Sequence, residues 1–274
     1  MSKELVDDVI FSKLWEEEPE PDNPFAARAC FCSGYDVYGE LLQHATLIEY
    51  LFLLFRGERP PRQFARALEI VAIAIANPGP RDPSVHAAMS AGVGGSPAAA
   101  ALMAALAVGA GVSGGAREVF LAMQLWANCG CEMSAWQAAL KTPSIRTKKE
   151  IWPDTEHPPG FASYGQHCPE PVVQTLQALA ETLGAGCTIW LKDHRNQLEQ
   201  LADHPLGMTG LVAAVLTDMG FSPNAGEMLT LLLRLPGAAA HALEQGESGF
   251  KRFPFFSIDI VNDPGPNPQS GVTR

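Results

Sequence analysis

The stretch from Gly109 to Val119, GAGVSGGAREV, joins two Ala-rich segments of the chain. The segment before it, Pro97–Val112, predicts a buried helix with Ser96 as its N-cap and Pro97 at its first position. The segment after it predicts a second helix, from Gly114 to about residue 128. Two adjacent glycines are typical of a tight packing turn, and they also allow close approach of another group. Free N–H groups at the start of the second helix would suit an oxyanion or an acyl group.

The composition limits the classes of partner. The chain has 274 residues, enough for one large domain or for a large domain with a smaller one attached. Hydrophobic residues make up 47% and charged residues 18%, which predicts helix surfaces covered by protein, including a second subunit. A formal charge of −11 disfavours nucleic acid, because phosphate binding needs dense Lys and Arg. A local basic site for a small anionic ligand stays open.

The cysteines and the apolar runs indicate a compartment. The chain contains two C-x-C pairs and no C-x-x-C, so the spacing of zinc ribbons is absent. We expect reduced thiols in a cytoplasmic protein, with metal binding as the alternative. We expect no signal peptide, because the first residues lack a basic segment followed by an apolar one. We also expect no membrane span, because the apolar runs are short and rich in Ala and Gly. The six cysteines are Cys30, Cys32, Cys129, Cys131, Cys168 and Cys187.

The rest of the chain reads as a series of helices. The run Leu47–Phe55, LIEYLFLLF, is apolar on nearly every face and predicts a buried helix. Arg62–Ala76 predicts an amphipathic helix, because its apolar residues recur at helical spacing. Pro236 is expected to open a new helix that follows one over Asn224–Leu235. Other helices are predicted near residues 83–89, 133–140, 172–183, 188–202 and 207–219.

The domain organisation follows from changes in composition. Residues 1–23 are polar and contain EEEPEP, which predicts a flexible arm that resists packing. Residues 141–165 are rich in Pro, Gly and charge, and mark a boundary. We therefore expect a large domain over 24–145 that resumes at 223–274 with a surface tail, and a small domain over 146–222. No long segment alternates between polar and apolar residues as a strand would, so the predicted class is all-α.

Several segments, taken in order, resemble the citrate synthase superfamily and above all its short citryl-CoA lyase branch. They are Gly34-Tyr35, Glu49–Pro60 (EYLFLLFRGERP), Ser113–Val119 (SGGAREV), Pro159-Gly160-Phe161, His241–Gln245 (HALEQ) and Gly249–Pro254 (GFKRFP). The resemblance implies a homodimer of helical subunits, each with a cleft between a large and a small domain. It also implies chemistry at a carbon–carbon bond beside a coenzyme A thioester carbonyl. In that family a carboxylate removes the α-proton, one His polarises the thioester oxygen and a second His handles the keto oxygen.

The chain departs from this pattern at each acid–base position. Ser163 stands where the family motif PGFGH has its His, and Ser113 stands where synthases have the His of HGG. Thr209 stands at the place of the Asp of NVDG. The large-domain His is missing near residues 77–79, and His167 is the best match to an Arg expected beyond PGFGH.

His167, Ser163 and Thr209 are accordingly the candidate catalytic residues. His167 is of the residue type that commonly transfers protons in enzymes, although a loop His satisfied by backbone groups fits equally well. Ser163 could donate a hydrogen bond to an acyl oxygen, or could simply line an inherited cleft. A Thr hydroxyl at position 209 cannot replace a carboxylate as a base.

The candidate ligand-binding residues are Ser113, Gly114 and Gly115 at the turn, with Lys251 and Arg252 near the end of the chain. The two basic residues match the position by which the family binds a substrate carboxylate, often across the dimer, and an Arg suits a planar carboxylate. We expect a coenzyme A thioester as substrate, with a small carboxylate as a second ligand, no tightly bound cofactor and no metal. Two functions remain open: an enzyme of altered chemistry, which we favour, or a non-catalytic member that binds a ligand or an active partner subunit.

Overall fold

The computed structural model describes residues 12–141 and 157–253. Helices dominate this part of the chain, and the all-α prediction is confirmed. A π-helical turn at Val37–Leu41 leads into the first helix, and a 3-10 turn at Phe250–Arg252 follows the last one. The helices are α1 Leu42–His44, α2 Leu47–Arg56, α3 Arg62–Ala76, α4 Pro83–Val93, α5 Ala98–Gly109, α6 Ala116–Cys129, α7 Met133–Lys141, α8 Glu170–Leu183, α9 Cys187–Ala202, α10 Met208–Asp218 and α11 Pro223–Ser248.

A small sheet takes its first strand from the segment over residues 1–23 that the sequence predicts to be a flexible arm. The strands β1 Glu16–Pro19, β2 Ala27–Cys32 and β3 Tyr35–Asp36 form an antiparallel sheet in the order β1-β2-β3. An ion pair between Arg28 and Glu18, 2.6 Å apart, joins the first two strands. The structure differs from the expectation because the acidic run finds a partner strand while most of its side chains stay in solvent.

The main core is built around α10. Every residue from Gly210 to Leu216 is buried, so this helix has neighbours on all sides. α6 packs along it, and α8 and α9 also contact it. The core side chains around α10 form one continuous cluster that includes Trp126 of α6, Leu179 of α8 and Leu229 of α11. This cluster crosses the predicted domain limits, and the predicted boundary at residue 146 lies outside the described residues.

Two helices differ from the expected pattern. In α2, Phe52 and Leu53 are buried, but Leu47 is 71% exposed, so the helix is not enclosed on all faces. A capping box between Thr46 and Glu49 sets its start. The prediction of a new helix at Pro236 is wrong, because α11 runs through this proline without a break.

A second, smaller core joins α4, α5 and α11. α5 carries no polar side chain between Ala98 and Gly109, yet it is not enclosed. Met103 is 61% exposed and Val108 is 43% exposed. The structure therefore leaves one face of this apolar helix uncovered. No helix among the described residues is long and apolar enough to cross a membrane.

Candidate functional site

The buried carboxylate of Glu118 lies at the centre of the site. Glu118 occupies the first turn of α6, and its side chain is only 2% exposed. An acceptor at this position can capture N–H groups that precede the helix, as the Glu of a capping box does. Oε2 accepts a hydrogen bond from the N–H of Gly114, so the helix is tied to the turn that comes before it.

The other carboxylate oxygen reaches two distant segments. Oε1 of Glu118 accepts from the N–H of Gly160 at 2.9 Å and from Oγ1 of Thr209 at 2.9 Å. Gly160 belongs to the loop over residues 157–163, and Thr209 lies in the first turn of α10. One carboxylate thus joins the three segments that the sequence analysis singled out.

The loop and the start of α10 are also bonded to each other. Phe161 forms a β-bridge with Leu206, and the N–H of Ala162 donates to the carbonyl of Pro205 at 2.8 Å. The backbones cross so closely that a Cβ on Gly210 would lie 2.2 Å from the carbonyl oxygen of Gly160. Glycine is therefore required at residue 210, and the loop is held against the helix start as one unit.

The turn at residue 114 is fixed from the opposite side by Arg234 of α11. Gly114 has a φ of +71°, which favours glycine, and its carbonyl accepts from Nη1 of Arg234 at 2.8 Å. Arg234 also pairs with Asp82, and the two side chains are 12% and 16% exposed. Asp82 in turn caps α4 through the N–H groups of Ser84 and Val85. Both backbone polar groups of Gly114 are consequently held by side chains, so its N–H is already donated.

His157 lies beside the carboxylate, and His204 lies next to His157. Nε2 of His157 is 3.6 Å from Oε1 of Glu118, and the His157 side chain is 3% exposed. The rings of His157 and His204 meet edge to face, with centroids 6.1 Å apart. Buried charges in proteins are paired or hydrogen-bonded. Two backbone donors, one hydroxyl and one imidazole supply this environment for Glu118.

The sequence analysis named some of the residues that meet here and did not name others. It named Gly114 and Thr209, which the structure brings together, but not Glu118 or His157. The available signal was the acidic residue at the third position after the Gly-Gly pair, where a helix start favours an acceptor. Ser113 is exposed on the turn, and Ser163 is half-buried on the loop.

Other predicted residues lie away from this cluster. His167 is exposed on the segment that leads to α8. Lys251 and Arg252 are exposed in the turn beyond α11. Arg234 contacts the Gly114 turn, and α11 continues for 14 residues to Ser248, which is about 20 Å at the rise of an α-helix. The structure does not bring these two cations to the turn of their own chain.

Cys168, which follows His167, is not an activated thiol. Burial raises the pKa of its thiol, and the nearby Glu199 carboxylate adds to the effect. Sγ of Cys168 donates to the carbonyl of Leu206 at 3.6 Å. A thiol held in this way stays protonated near neutral pH and is a poor nucleophile.

Comparison with known proteins points to one fold. No protein-family model matches the chain, and the curated protein sequences contain no match. Among solved structures, citryl-CoA lyase from Hydrogenobacter thermophilus superposes with a TM-score of 0.66 at 18% identity, covering 93% of this chain and 97% of that one. The chain has the fold of citryl-CoA lyase.

Structures of ATP citrate lyase contain the same fold within a longer chain. The enzyme from Methanothrix soehngenii, in complex with citrate and coenzyme A, superposes with a TM-score of 0.68 at 16% identity. The superposition covers 97% of this chain and 43% of the other. A variant of ATP citrate lyase from Methanosaeta concilii, in complex with (3S)-citryl-CoA, gives a TM-score of 0.66 at 16% identity. This superposition covers 92% of this chain and 42% of the other. These likenesses establish the citrate synthase-like fold that the sequence motifs predicted.

Proposed function

We propose that this chain acts on a coenzyme A thioester, forming or cleaving a carbon–carbon bond beside the thioester carbonyl with a non-standard active site. Proteins of the same fold bind coenzyme A, citrate and citryl-CoA. The observation that carries the proposal is the set of hydrogen bonds accepted by the Glu118 carboxylate. This carboxylate holds together the Gly114 turn, the Gly160 loop and the start of α10, which are the segments where the family resemblance places the reacting groups.

The chemistry requires a donor to the developing enolate oxygen and a group that moves a proton at the adjacent carbon. Ser113 and Ser163 lie on the turn and on the loop, and we assign them the donor role. His167 is the candidate for proton transfer, and its exposed position requires the segment that carries it to approach the bound substrate. Thr209 lies at the junction of the loop and α10, where its hydroxyl donates to Glu118.

We further propose that the protein works as a homodimer through the uncovered face of α5. In such an assembly Lys251 and Arg252 would serve the cleft of the neighbouring subunit, since they lie about 20 Å along α11 from the turn of their own chain. Their partner would be a carboxylate of the substrate or of a small second ligand. The free thiols of all six cysteines fit a reducing compartment, and we place the protein in the cytoplasm.

A second function is favoured by the contact of Thr209. Its hydroxyl is donated to Glu118, and a hydroxyl cannot remove a proton at neutral pH as a carboxylate does. A protein with this arrangement could bind a coenzyme A thioester, or an active partner subunit, without turning the ligand over.

Two measurements on the same preparation separate the two functions. Calorimetry with acetyl-CoA tests binding, and release of coenzyme A from citryl-CoA, or from acetyl-CoA with oxaloacetate, tests turnover. We expect binding, with turnover of these substrates well below the usual range of roughly 1 to 1,000 per second. Binding without turnover of any acyl-CoA supports the non-catalytic function. If neither coenzyme A nor acetyl-CoA binds, both functions as thioester proteins are excluded.

A further inference from the structure

Within the described residues, the carboxylate of Glu118 connects two units of the site that are each held together by other bonds. The Gly160 loop and the start of α10 are bonded to each other through Ala162 and Pro205. The Gly114 turn is bonded to α11 through Arg234. Glu118 joins these two units, because one oxygen accepts from the turn while the other accepts from the loop and from α10.

The donors around this side chain require a carboxylate. Each oxygen faces a backbone N–H, from Gly114 on one side and from Gly160 on the other. The amide of a glutamine would place its own NH₂ group against one of these N–H donors, whichever way it turned. An aspartate is shorter by one methylene and could not reach from the helix start to both segments. Position 118 is therefore matched to glutamate by hydrogen-bond polarity and by length.

We propose that Glu118 is the positioning residue of the candidate site, and that Thr209 serves as its donor rather than as a group that touches the substrate. The carboxylate fixes the separation between the Gly114 turn and the Gly160 loop, and hence the separation of Ser113 from Ser163. Burial of the side chain makes the link stiff, since a 2% exposed carboxylate has little access to competing water. The role in ligand binding rests on the proposed function, whereas the mechanical link between the segments does not.

The test is hydrogen exchange of the full chain, read by mass spectrometry over residues 110–116 and 157–163, together with calorimetry using acetyl-CoA. The variants are Glu118→Gln, Thr209→Val and Thr209→Ser. The matched control is Thr230→Val, because Thr230 is a buried threonine whose hydroxyl donates to the carbonyl of Gly226 at 2.7 Å, within α11. It undergoes the same chemical change, and the hydrogen bond that it loses lies within α11 rather than at Glu118.

In Glu118→Gln we expect exchange to rise about tenfold or more in both segments, although they are more than 40 residues apart in sequence. In Thr209→Val we expect a rise of roughly threefold to tenfold over residues 157–163, restored by Thr209→Ser. The Thr230→Val control leaves both segments unchanged. The affinity for acetyl-CoA should fall by about tenfold in Glu118→Gln and stay unchanged in Thr230→Val.

The proposal is overturned if Glu118→Gln leaves exchange in both segments at the wild-type rate, or if Thr230→Val raises it as much as Thr209→Val does. If Glu118→Gln does not fold, hydrogen exchange over residues 157–163 in Thr209→Val and Thr209→Ser decides the matter. Wild-type exchange in Thr209→Val then overturns the proposal. If the exchange results hold while wild-type protein does not bind acetyl-CoA, the positioning role stands and the proposed function fails.

Discussion

The hydroxyl of Thr209 donates a 2.9 Å hydrogen bond to a carboxylate oxygen of Glu118, across 91 positions of sequence. Thr209 occupies the position where the family resemblance places a catalytic Asp. Among the described residues, the site therefore has one buried carboxylate, which accepts from three donors, where the family pattern would add a second. This relationship decides how substitutions at residue 209 will behave.

Restoring an aspartate at residue 209 should destabilise the protein and should not restore ordinary turnover. The new carboxylate would replace a donor to Glu118 by a like charge at hydrogen-bond distance. We expect Thr209→Asp to lower the free energy of unfolding by about 3 kcal/mol at neutral pH. Thr209→Asn, which is similar in size and keeps a donor, should cost roughly 1 kcal/mol. Urea unfolding of both variants makes the comparison, and equal losses would show that charge at this position does not matter.

Arg234 should contribute more to stability than an exposed arginine does. Its removal leaves Asp82 without a counter-charge in a mostly buried setting and releases the carbonyl of Gly114. We expect Arg234→Gln to lower the free energy of unfolding by about 3 kcal/mol. Arg66→Gln, which breaks an exposed pair with Glu69, should change it by less than about 0.5 kcal/mol. Similar losses in the two variants would contradict the assignment of Arg234 as a support of the turn.

The helices were largely predictable because their signal is local. The apolar spacing of Arg62–Ala76 gives α3 with the bounds that the structure shows. The continuity of α11 was not predictable from Pro236, because packing against the rest of the fold overrides a local preference. The strand β1 was missed for the same kind of reason: its partner strand, not its own acidic sequence, defines it.

The candidate site was predictable only in part. The Gly-Gly turn and Thr209 stand out in the sequence through their resemblance to family motifs. The role of Glu118 depends on contacts with Gly160 and Thr209, which lie 42 and 91 positions away, and such contacts leave no local pattern. Only the fold reveals that one side chain joins the motifs.

The thiols should differ in reactivity. Burial raises the pKa of Cys168, and burial together with the Asp218 carboxylate raises that of Cys187. A raised pKa leaves less thiolate at a given pH, so alkylation of these two residues should be slow at pH 7.5 and should increase as the pH rises above 9. Cys131 is exposed and should react first with iodoacetamide. Peptide mapping after timed alkylation checks the order, and early labelling of Cys187 would show that its burial is not as described.

The uncovered face of α5 should form the subunit interface. Met103 lies on this face and is 61% exposed, so a charge there would be buried in the dimer at high cost. We expect wild-type protein to be dimeric by light scattering at micromolar concentration and Met103→Glu to be monomeric. Leu42→Glu provides the control, because Leu42 is 74% exposed on α1. A monomeric wild type, or a Met103→Glu variant that remains dimeric, would exclude α5 as the interface.

The central claim is that a coenzyme A thioester binds at the segments that Glu118 joins. A crystal structure of the protein soaked with acetyl-CoA tests it most directly. We predict that the thioester carbonyl lies between Ser113 on the turn and Ser163 on the loop, with the carboxylate of Glu118 still bonded to Gly114, Gly160 and Thr209 behind it. Acetyl-CoA bound elsewhere on the protein, or no bound acetyl-CoA at saturating concentration, would contradict the account.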